Sequence, residues 1–137
     1  RARKFAERLG SSLAIVDKRR PRPNVCEVMN IIGEVKGKRA FLVDDMVDTA
    51  GSICNAAQAL MEFGATEVYA CAPHGVLSGP ALERIKNSCI KEMVLLDTIP
   101  EKEGAKEARI TMLPVATVFA EAIARIYADK PVSPLFT

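Results

Sequence analysis

Apolar and polar residues form alternating blocks along the chain that predict helices and strands in turn. Apolar residues from Ala2 to Leu9 recur at i, i+3, i+4 and i+7, which predicts an opening helix that ends at Gly10. Short apolar runs bounded by turn residues predict the strands. The predicted strands are Ser12–Val16, Val25–Glu34, Arg39–Val43, Val68–Ala72, Ile90–Leu96 and Ile110–Leu113.

Further helices are predicted between and after these strands. The clearest carries an apolar stripe from Ile53 to Met61, with Gly64 at its C-terminal cap. A short helix is expected from Ser78, its predicted N-cap, to about Asn87, and a last helix ends near Asp129. The remaining segments predict two loops and the turn of a hairpin, at Asp17–Asn24, Glu101–Lys106 and Lys36–Lys38.

Strands and helices that alternate at this spacing predict an α/β fold. We expect a parallel-rich sheet with helices on both faces, in a single domain that covers residues 1–137. In such sheets ligands bind beyond the carboxyl ends of the strands. The segments that follow each strand are therefore the places to search for chemistry.

Composition and charge narrow the class of protein. Of the 137 residues, 49% are apolar and 26% charged, which is typical of a globular domain and excludes a disordered chain. The net charge of +2 argues against a dedicated nucleic-acid binder, and the longest uncharged stretch, 68–82, contains two prolines and two glycines and predicts no membrane span. No two of the four cysteines are close in sequence, so we expect reduced thiols in a cytoplasmic protein.

An acidic, glycine-bearing turn follows the strand Arg39–Val43. It places Asp44, Asp45 and Asp48 directly before the small and hydroxylated segment Thr49–Ser52, which leads into a helix. Carboxylates can accept hydrogen bonds from a sugar diol, and backbone N–H groups at a helix N-terminus can bind a phosphate. A phosphorylated ribose carries both groups. The alternative is an exposed acidic loop in which Ser52 only caps the helix, and residue chemistry alone leaves both readings open.

The segment Phe41–Ser52 (FLVDDMVDTAGS) resembles the phosphoribosyl-binding signature of the type I phosphoribosyltransferase fold. Two further segments, Asp17–Gly33 (DKRRPRPNVCEVMNIIG) and Val76–Pro80 (VLSGP), are similar to ribose-phosphate pyrophosphokinases, also called phosphoribosyl-pyrophosphate synthetases. The likeness covers essentially the whole chain but only the C-terminal half of such an enzyme. Because the opening helix starts at Arg1 without a cap, we expect a piece of a longer protein.

The resemblance implies a reaction and a set of site residues. The family transfers pyrophosphate from ATP to ribose 5-phosphate, giving phosphoribosyl pyrophosphate and AMP. By the same resemblance Lys18 and Arg20 are catalytic, and Arg20 also contacts the substrate. The residues implied to bind ribose 5-phosphate are Asp44, Asp45, Asp48, Thr49, Ala50, Gly51 and Ser52.

The resemblance also implies a cofactor and partners. Mg²⁺ is expected, with no complete metal site in this chain and indirect contacts from Asp44 and Asp45. The ATP site would lie mostly in the missing N-terminal half, so the chain alone is expected to be inactive. The full-length enzyme is expected to be a homo-oligomer, a hexamer, with no nucleic-acid or membrane partner.

Two other functions compete with this reading. A non-catalytic regulatory subunit of the synthetase would keep the fold, but the presence of Lys18 and Arg20 argues against it. A nucleobase phosphoribosyltransferase would share the acidic turn but is not expected to share the KRRP segment at 18–21. For His74, which follows the strand Val68–Ala72, we expect a structural hydrogen bond.

Overall fold

The computed structural model describes residues 2–19 and 28–136. In these ranges the chain forms four helices and seven strands, followed by a short 3-10 helix at Ser133–Phe136. The elements are α1 (Ala2–Leu9), β1 (Ile15–Arg19), β2 (Val28–Ile32), β3 (Arg39–Val43), β4 (Met46–Val47), α2 (Gly51–Glu62), β5 (Glu67–Gly75), α3 (Ala81–Asn87), β6 (Ile90–Leu96), β7 (Ile110–Leu113) and α4 (Ala116–Tyr127).

The main sheet is parallel throughout, with the strand order β3-β5-β6-β7. The two-residue strand β4 pairs with the last part of β5, Met46 opposite His74 and Val47 opposite Gly75. Helix α2 connects β4 to β5, and α3 connects β5 to β6. The predicted α/β class, with a mainly parallel sheet flanked by helices, is confirmed. All carboxyl ends of these strands therefore meet at one edge of the sheet.

The core lies between the sheet and helices α2 and α3. Its largest fully buried side chains are Ile85, Ile90, Met93, Leu95, Val47 and Val68. Burying a side chain of this kind stabilises the fold by about 1.5–3 kcal/mol each. Helices α1 and α4 contain no buried residue. Within the described ranges, no helix combines the length and the apolar run that crossing a bilayer requires.

The end of α2 shows why the sequence specifies this helix well. Gly64 has a φ of 93°, and its N–H donates to the carbonyl of Met61 at 3.0 Å. The N–H of Ala65 donates to the carbonyl of Leu60, also at 3.0 Å. These two bonds form a Schellman motif, which favours glycine because the left-handed conformation strains other residues. The predicted cap at Gly64 is confirmed.

Two predictions for the amino-terminal part are wrong. The first strand is Ile15–Arg19 rather than Ser12–Val16, and it is not buried, since Ile15 is 52% exposed. This strand pairs antiparallel with β2 in a separate two-stranded sheet, so Asp17–Arg19 belongs to a strand rather than to the predicted loop. An apolar run predicts a strand but does not reveal which neighbour covers it. Residues 20–27, which include Pro21 and Pro23 of the predicted loop, lie outside the described residues.

Two other local predictions also fail. The turn at Lys36–Lys38 does not close a hairpin, because β2 pairs with β1 and β3 pairs in parallel with β5. Ser78 does not cap α3, since the N-cap residue is Pro80 and no side-chain cap bond forms. The carbonyl of Ser78 instead accepts a hydrogen bond from the N–H of Ala81 at 3.2 Å. In both cases the local residues predict a turn correctly but not its partner.

Candidate functional site

The acidic turn lies at the carboxyl edge of the parallel sheet, between β3 and α2. Val47 and Ala50 anchor it in the core, at 2% and 5% exposure. The three aspartates Asp44, Asp45 and Asp48 are exposed to solvent, as burial of several carboxylates would be costly. Thr49 and Ser52 are also exposed, and Gly51 is half-buried. The turn thus alternates apolar anchors with polar groups that are accessible to a ligand.

The first aspartate already takes part in the local structure. The N–H of Asp44 extends the sheet by donating to the carbonyl of Cys71 at 3.0 Å. Its carboxylate accepts a hydrogen bond from the N–H of Asp45 at 2.8 Å. One oxygen of Asp44 therefore stabilises the turn, while the exposed side chain leaves its second oxygen accessible.

Three successive carbonyls of the turn are held by the segment that includes the start of α3. The carbonyl of Val47 accepts from the N–H of Leu77 at 3.1 Å, and that of Asp48 from the N–H of Ser78 at 3.0 Å. The carbonyl of Thr49 accepts from Arg84 Nη1 at 3.0 Å. In a trans peptide the C=O and the following N–H point in opposite directions. The N–H groups of residues 48–50 therefore point away from this segment.

Within residues 2–19 and 28–136, the backbone N–H groups of residues 49–52 donate no hydrogen bond. Helix α2 has Ala50 as its N-cap residue and no side-chain cap bond, so the expectation that Ser52 caps the helix is wrong. Ala50 adopts a left-handed conformation, φ 59° and ψ 3°, directly before the helix. Such a backbone makes a concave cluster of N–H groups that binds anions.

The neighbouring loop is fixed by a second cation. Leu77 is buried and has a φ of 52°, a conformation that strains a branched residue. Lys102, from the charged loop after β6, donates from Nζ to the carbonyl of Leu77 at 2.8 Å. This bond holds Leu77 and Ser78 in the place from which their amides reach the acidic turn.

Sequence reasoning missed Arg84 and Lys102. Each acts across a long sequence separation, 35 residues for Arg84 to Thr49 and 25 residues for Lys102 to Leu77. Both look like ordinary surface cations in the sequence. The one sequence signal near these contacts was the resemblance of the segment Val76–Pro80 to the family, and it did not identify Arg84 or Lys102.

His74 lies at the same edge of the sheet and forms the expected hydrogen bond. Its Nδ1 is 2.8 Å from Thr98 Oγ1. The Thr98 hydroxyl has a single hydrogen, which it donates to the carbonyl of Pro73 at 2.8 Å. The histidine must therefore donate from Nδ1, and in the neutral ring Nε2 carries the lone pair. This tautomer is assigned from the hydrogen-bond network.

The cysteines within the described ranges are not activated. Cys54, Cys71 and Cys89 are free thiols that lie partly buried. Burial raises the pKa of each thiol above its ordinary value of 9.0. Burial therefore favours the protonated, weakly nucleophilic form of these thiols.

A wide-open depression of about 380 Å³ lies near the start of β6 and β7, away from the acidic turn. It is lined by Lys91, Glu92, Lys106, Arg109, Ile110 and Thr111. Arg109 Nη2 is engaged there with the carbonyls of Ile85, Lys86 and Ser88, at 2.9, 3.0 and 3.1 Å. This guanidinium binds the carboxyl end of α3, so its role is structural.

The two cations implied to be catalytic lie away from the described turn in sequence. The backbone of Lys18 belongs to β1, opposite Met29 of β2. Arg20 lies outside the described residues. Among the residues that the structure describes, no group of three or more His, Cys, Asp or Glu side chains could hold a metal ion.

Comparison with known proteins identifies the fold and then the family. A crystal structure of phosphoribosylpyrophosphate synthetase from Mycobacterium smegmatis is similar with a TM-score of 0.85 over 93% of this chain, at 36% sequence identity. The fold is therefore the phosphoribosyltransferase-like α/β fold. Residues 16–137 match the family described as the phosphoribosyl synthetase-associated domain, and the chain belongs to that family.

Curated relatives agree with this assignment. A ribose-phosphate pyrophosphokinase from Clostridium acetobutylicum is 63% identical over 99% of this chain. Another, from Caldanaerobacter subterraneus, is 62% identical over 100% of this chain. The chain spans only 43% of the length of each of these relatives, and 41% of the Mycobacterium smegmatis chain. The resemblance described from the sequence is confirmed.

Proposed function

We propose that this chain is the ribose 5-phosphate-binding catalytic part of an enzyme that makes phosphoribosyl pyrophosphate. The reaction joins the 1-hydroxyl oxygen of ribose 5-phosphate to the β-phosphorus of ATP, and the bond between that phosphorus and the α-phosphate oxygen breaks to release AMP. The names of the relatives support this activity. One observation carries it: within the described ranges the backbone N–H groups of residues 49–52 donate no hydrogen bond, those of Thr49 and Ala50 point away from α3, and three exposed carboxylates lie beside them.

In this proposal the turn binds the substrate at two ends. The amides of Thr49, Ala50, Gly51 and Ser52 bind the 5-phosphate, and the dipole of α2 adds to the attraction. The carboxylates of Asp44 and Asp48, with Asp45 nearby, accept hydrogen bonds from the ribose hydroxyls. Opposite chemistry at the two ends fixes the direction in which the sugar lies.

Lys18 and Arg20 are proposed to stabilise the transferred group. Negative charge develops on the oxygens around the β-phosphorus, and cations placed there lower the barrier. Arg20 would also contact the substrate, since a guanidinium matches the geometry of a phosphate. The backbone of Lys18 lies within strand β1 rather than in an open loop. The two-stranded sheet β1–β2 therefore becomes the support of this cation.

Mg²⁺ is proposed to arrive with the substrates. It usually keeps several waters and binds through one or two carboxylates together with substrate phosphates. The exposed carboxylates of Asp44 and Asp45 fit such indirect contacts, whereas the described residues offer no cluster for a dedicated metal site. When bound, Mg²⁺ would neutralise phosphate charge.

The remaining parts of the proposal concern the whole enzyme. The ATP site would be completed by the region that the longer relatives have and this chain lacks, so the chain alone should not turn over. Free thiols at Cys54, Cys71 and Cys89 support a cytoplasmic location. A hexameric homo-oligomer is proposed for the full-length enzyme, to be checked by light scattering.

The deciding experiment measures AMP release from ATP, Mg²⁺ and ribose 5-phosphate. It compares the 137-residue chain with a chimera that adds the N-terminal region of the Clostridium acetobutylicum relative. We expect no turnover from the chain and clear turnover from the chimera. Lys18→Ala in the chimera should reduce kcat by roughly 10²–10³-fold and leave the affinity for ribose 5-phosphate unchanged. Lys4→Ala, which removes an exposed lysine from α1, is the matched control.

A binding measurement on the chain alone makes the test independent of the chimera. Ribose 5-phosphate at millimolar concentration should raise the melting temperature by mass action, and ribose without phosphate should not. If neither the melting temperature nor the turnover of the chimera responds to ribose 5-phosphate, the proposed function is wrong.

A further inference from the structure

Arg84 lies on α3 but contacts the main chain of the acidic turn. Its Nη1 donates to the carbonyl of Thr49 at 3.0 Å. Within the described ranges no other side chain is recorded as a hydrogen-bond donor to the main chain of residues 47–52. The two other carbonyls on this side, of Val47 and Asp48, are held by backbone amides. Two backbone amides and one side chain, that of Arg84, therefore bind the three successive carbonyls of residues 47–49.

The peptide unit that Arg84 contacts includes the Ala50 N–H, which is proposed to bind the phosphate. The carbonyl of Thr49 and the N–H of Ala50 belong to one planar unit, so fixing the carbonyl also fixes the direction of the N–H. Ala50 has a φ of 59°, which is unfavourable for a residue with a Cβ. Without the bond to Arg84, this peptide could turn towards a more relaxed conformation, and the N–H would leave its direction.

The positive charge of Arg84 lies beside the N-terminus of α2, where a bound anion would be stabilised. Its Nη1 would lie 3.3 Å from a Cβ built on Gly51, the first residue of α2. Cations usually lie at the C-terminal end of a helix, because the N-terminal end is already positive. The first turn of α2 contains no acidic residue to compensate this charge. One of the five guanidinium N–H groups donates to Thr49, and within the described ranges Arg84 forms no ion pair.

We propose that Arg84 is a positioning residue of the sugar-phosphate site. By holding the Thr49 carbonyl, it keeps the Ala50 N–H directed at the phosphate and raises the affinity for the phosphorylated end of the substrate. The inference rests on the proposed function, since it assumes that residues 49–52 bind the phosphate of ribose 5-phosphate.

The test compares Arg84→Met with Arg84→Lys and with a control on the same helix, Lys86→Met. Lys86 is an exposed cation of the last turn of α3, so its removal changes the net charge equally. Dissociation constants for ribose 5-phosphate are measured by calorimetry on the 137-residue chain. Arg84→Met should raise the dissociation constant about tenfold, Arg84→Lys should restore part of the affinity, and Lys86→Met should change it less than about twofold.

A second measurement needs no ligand. NMR order parameters of the Ala50 and Gly51 N–H vectors should be lower in Arg84→Met than in the wild type and unchanged in Lys86→Met. If wild type and Arg84→Met bind ribose 5-phosphate equally, or the order parameters are equal, Arg84 is not a positioning residue even though the proposed function stands. If the wild type binds no ribose 5-phosphate while the order parameters still respond to Arg84, the bond is structural and the proposed function fails. Should Arg84→Met unfold, the same comparisons are made with Arg84→Gln.

Discussion

Replacing Gly75 by alanine should disturb the packing beneath the site in a measurable way. Gly75 is the buried last residue of β5 and pairs with Val47 of β4, which anchors the acidic turn. A Cβ at this position would lie 2.5 Å from Cδ1 of Leu95. Since real side chains do not approach this closely, Leu95 must move or β5 must shift.

The magnitude follows from how little room Leu95 has. Its side chain is fully buried, at 0% exposure, so another rotamer would meet the packed core. Adding a methyl group to a packed core destabilises a protein by about 1–3 kcal/mol. For a domain of this length, that corresponds to a fall in melting temperature of roughly 3–10 °C.

A double-mutant cycle with Leu95→Val isolates the contact. Leu95→Val removes the end of the side chain that the new methyl meets, so the double variant should be more stable than the sum of the two single effects predicts. The expected coupling is about 0.5–2 kcal/mol, measured by urea unfolding. Additive effects, or an unchanged midpoint in Gly75→Ala, would show that the close approach does not constrain the fold.

Two further predictions concern stability. Arg109→Met removes the guanidinium that binds three carbonyls at the end of α3, and should lower the free energy of unfolding by about 1.5–3 kcal/mol in urea titrations, with Arg109→Lys in between. Burial raises the pKa of the thiols of Cys54, Cys71 and Cys89. Their contribution to the free energy of unfolding is therefore complete below about pH 9 and is lost as pH rises through the higher folded-state pKa values. The urea midpoint should be lower at about pH 10 than at about pH 8, and this difference should be smaller in a variant with alanine at all three positions.

The sequence predicts best those elements that are specified by local signals and not by which strand lies beside them. Strands β6 and β7 match their predicted bounds, because an apolar run between turns fits a buried parallel strand. Helix α2 is equally clear, since its stripe and its glycine cap are local signals. The pairing of β1 with β2 was missed because local residues do not indicate which strand lies beside which.

In the candidate site too, local features were predictable and long-range contacts were not. The aspartates are exposed as expected from the high energy of burying carboxylates, and the sequence placed them at a strand end. The support of the turn could not be predicted, because Arg84 acts from 35 residues away and has the pattern of any surface arginine. The left-handed conformation of Ala50 was also unexpected, since the adjacent Gly51 is the residue that usually adopts it.

The acidic turn alternates buried apolar residues with exposed polar ones, and this separates positions that affect stability from positions that can vary in evolution. Val47 and Ala50 pack into the interior, whereas Met46, Asp48, Thr49 and Ser52 are exposed. On the proposed function, a substitution at an exposed position of the turn would change which ligand the turn binds and leave the free energy of unfolding nearly unchanged. Ligand preference would then evolve one position at a time, while Val47 and Ala50 remain under a separate constraint, that of keeping the protein folded.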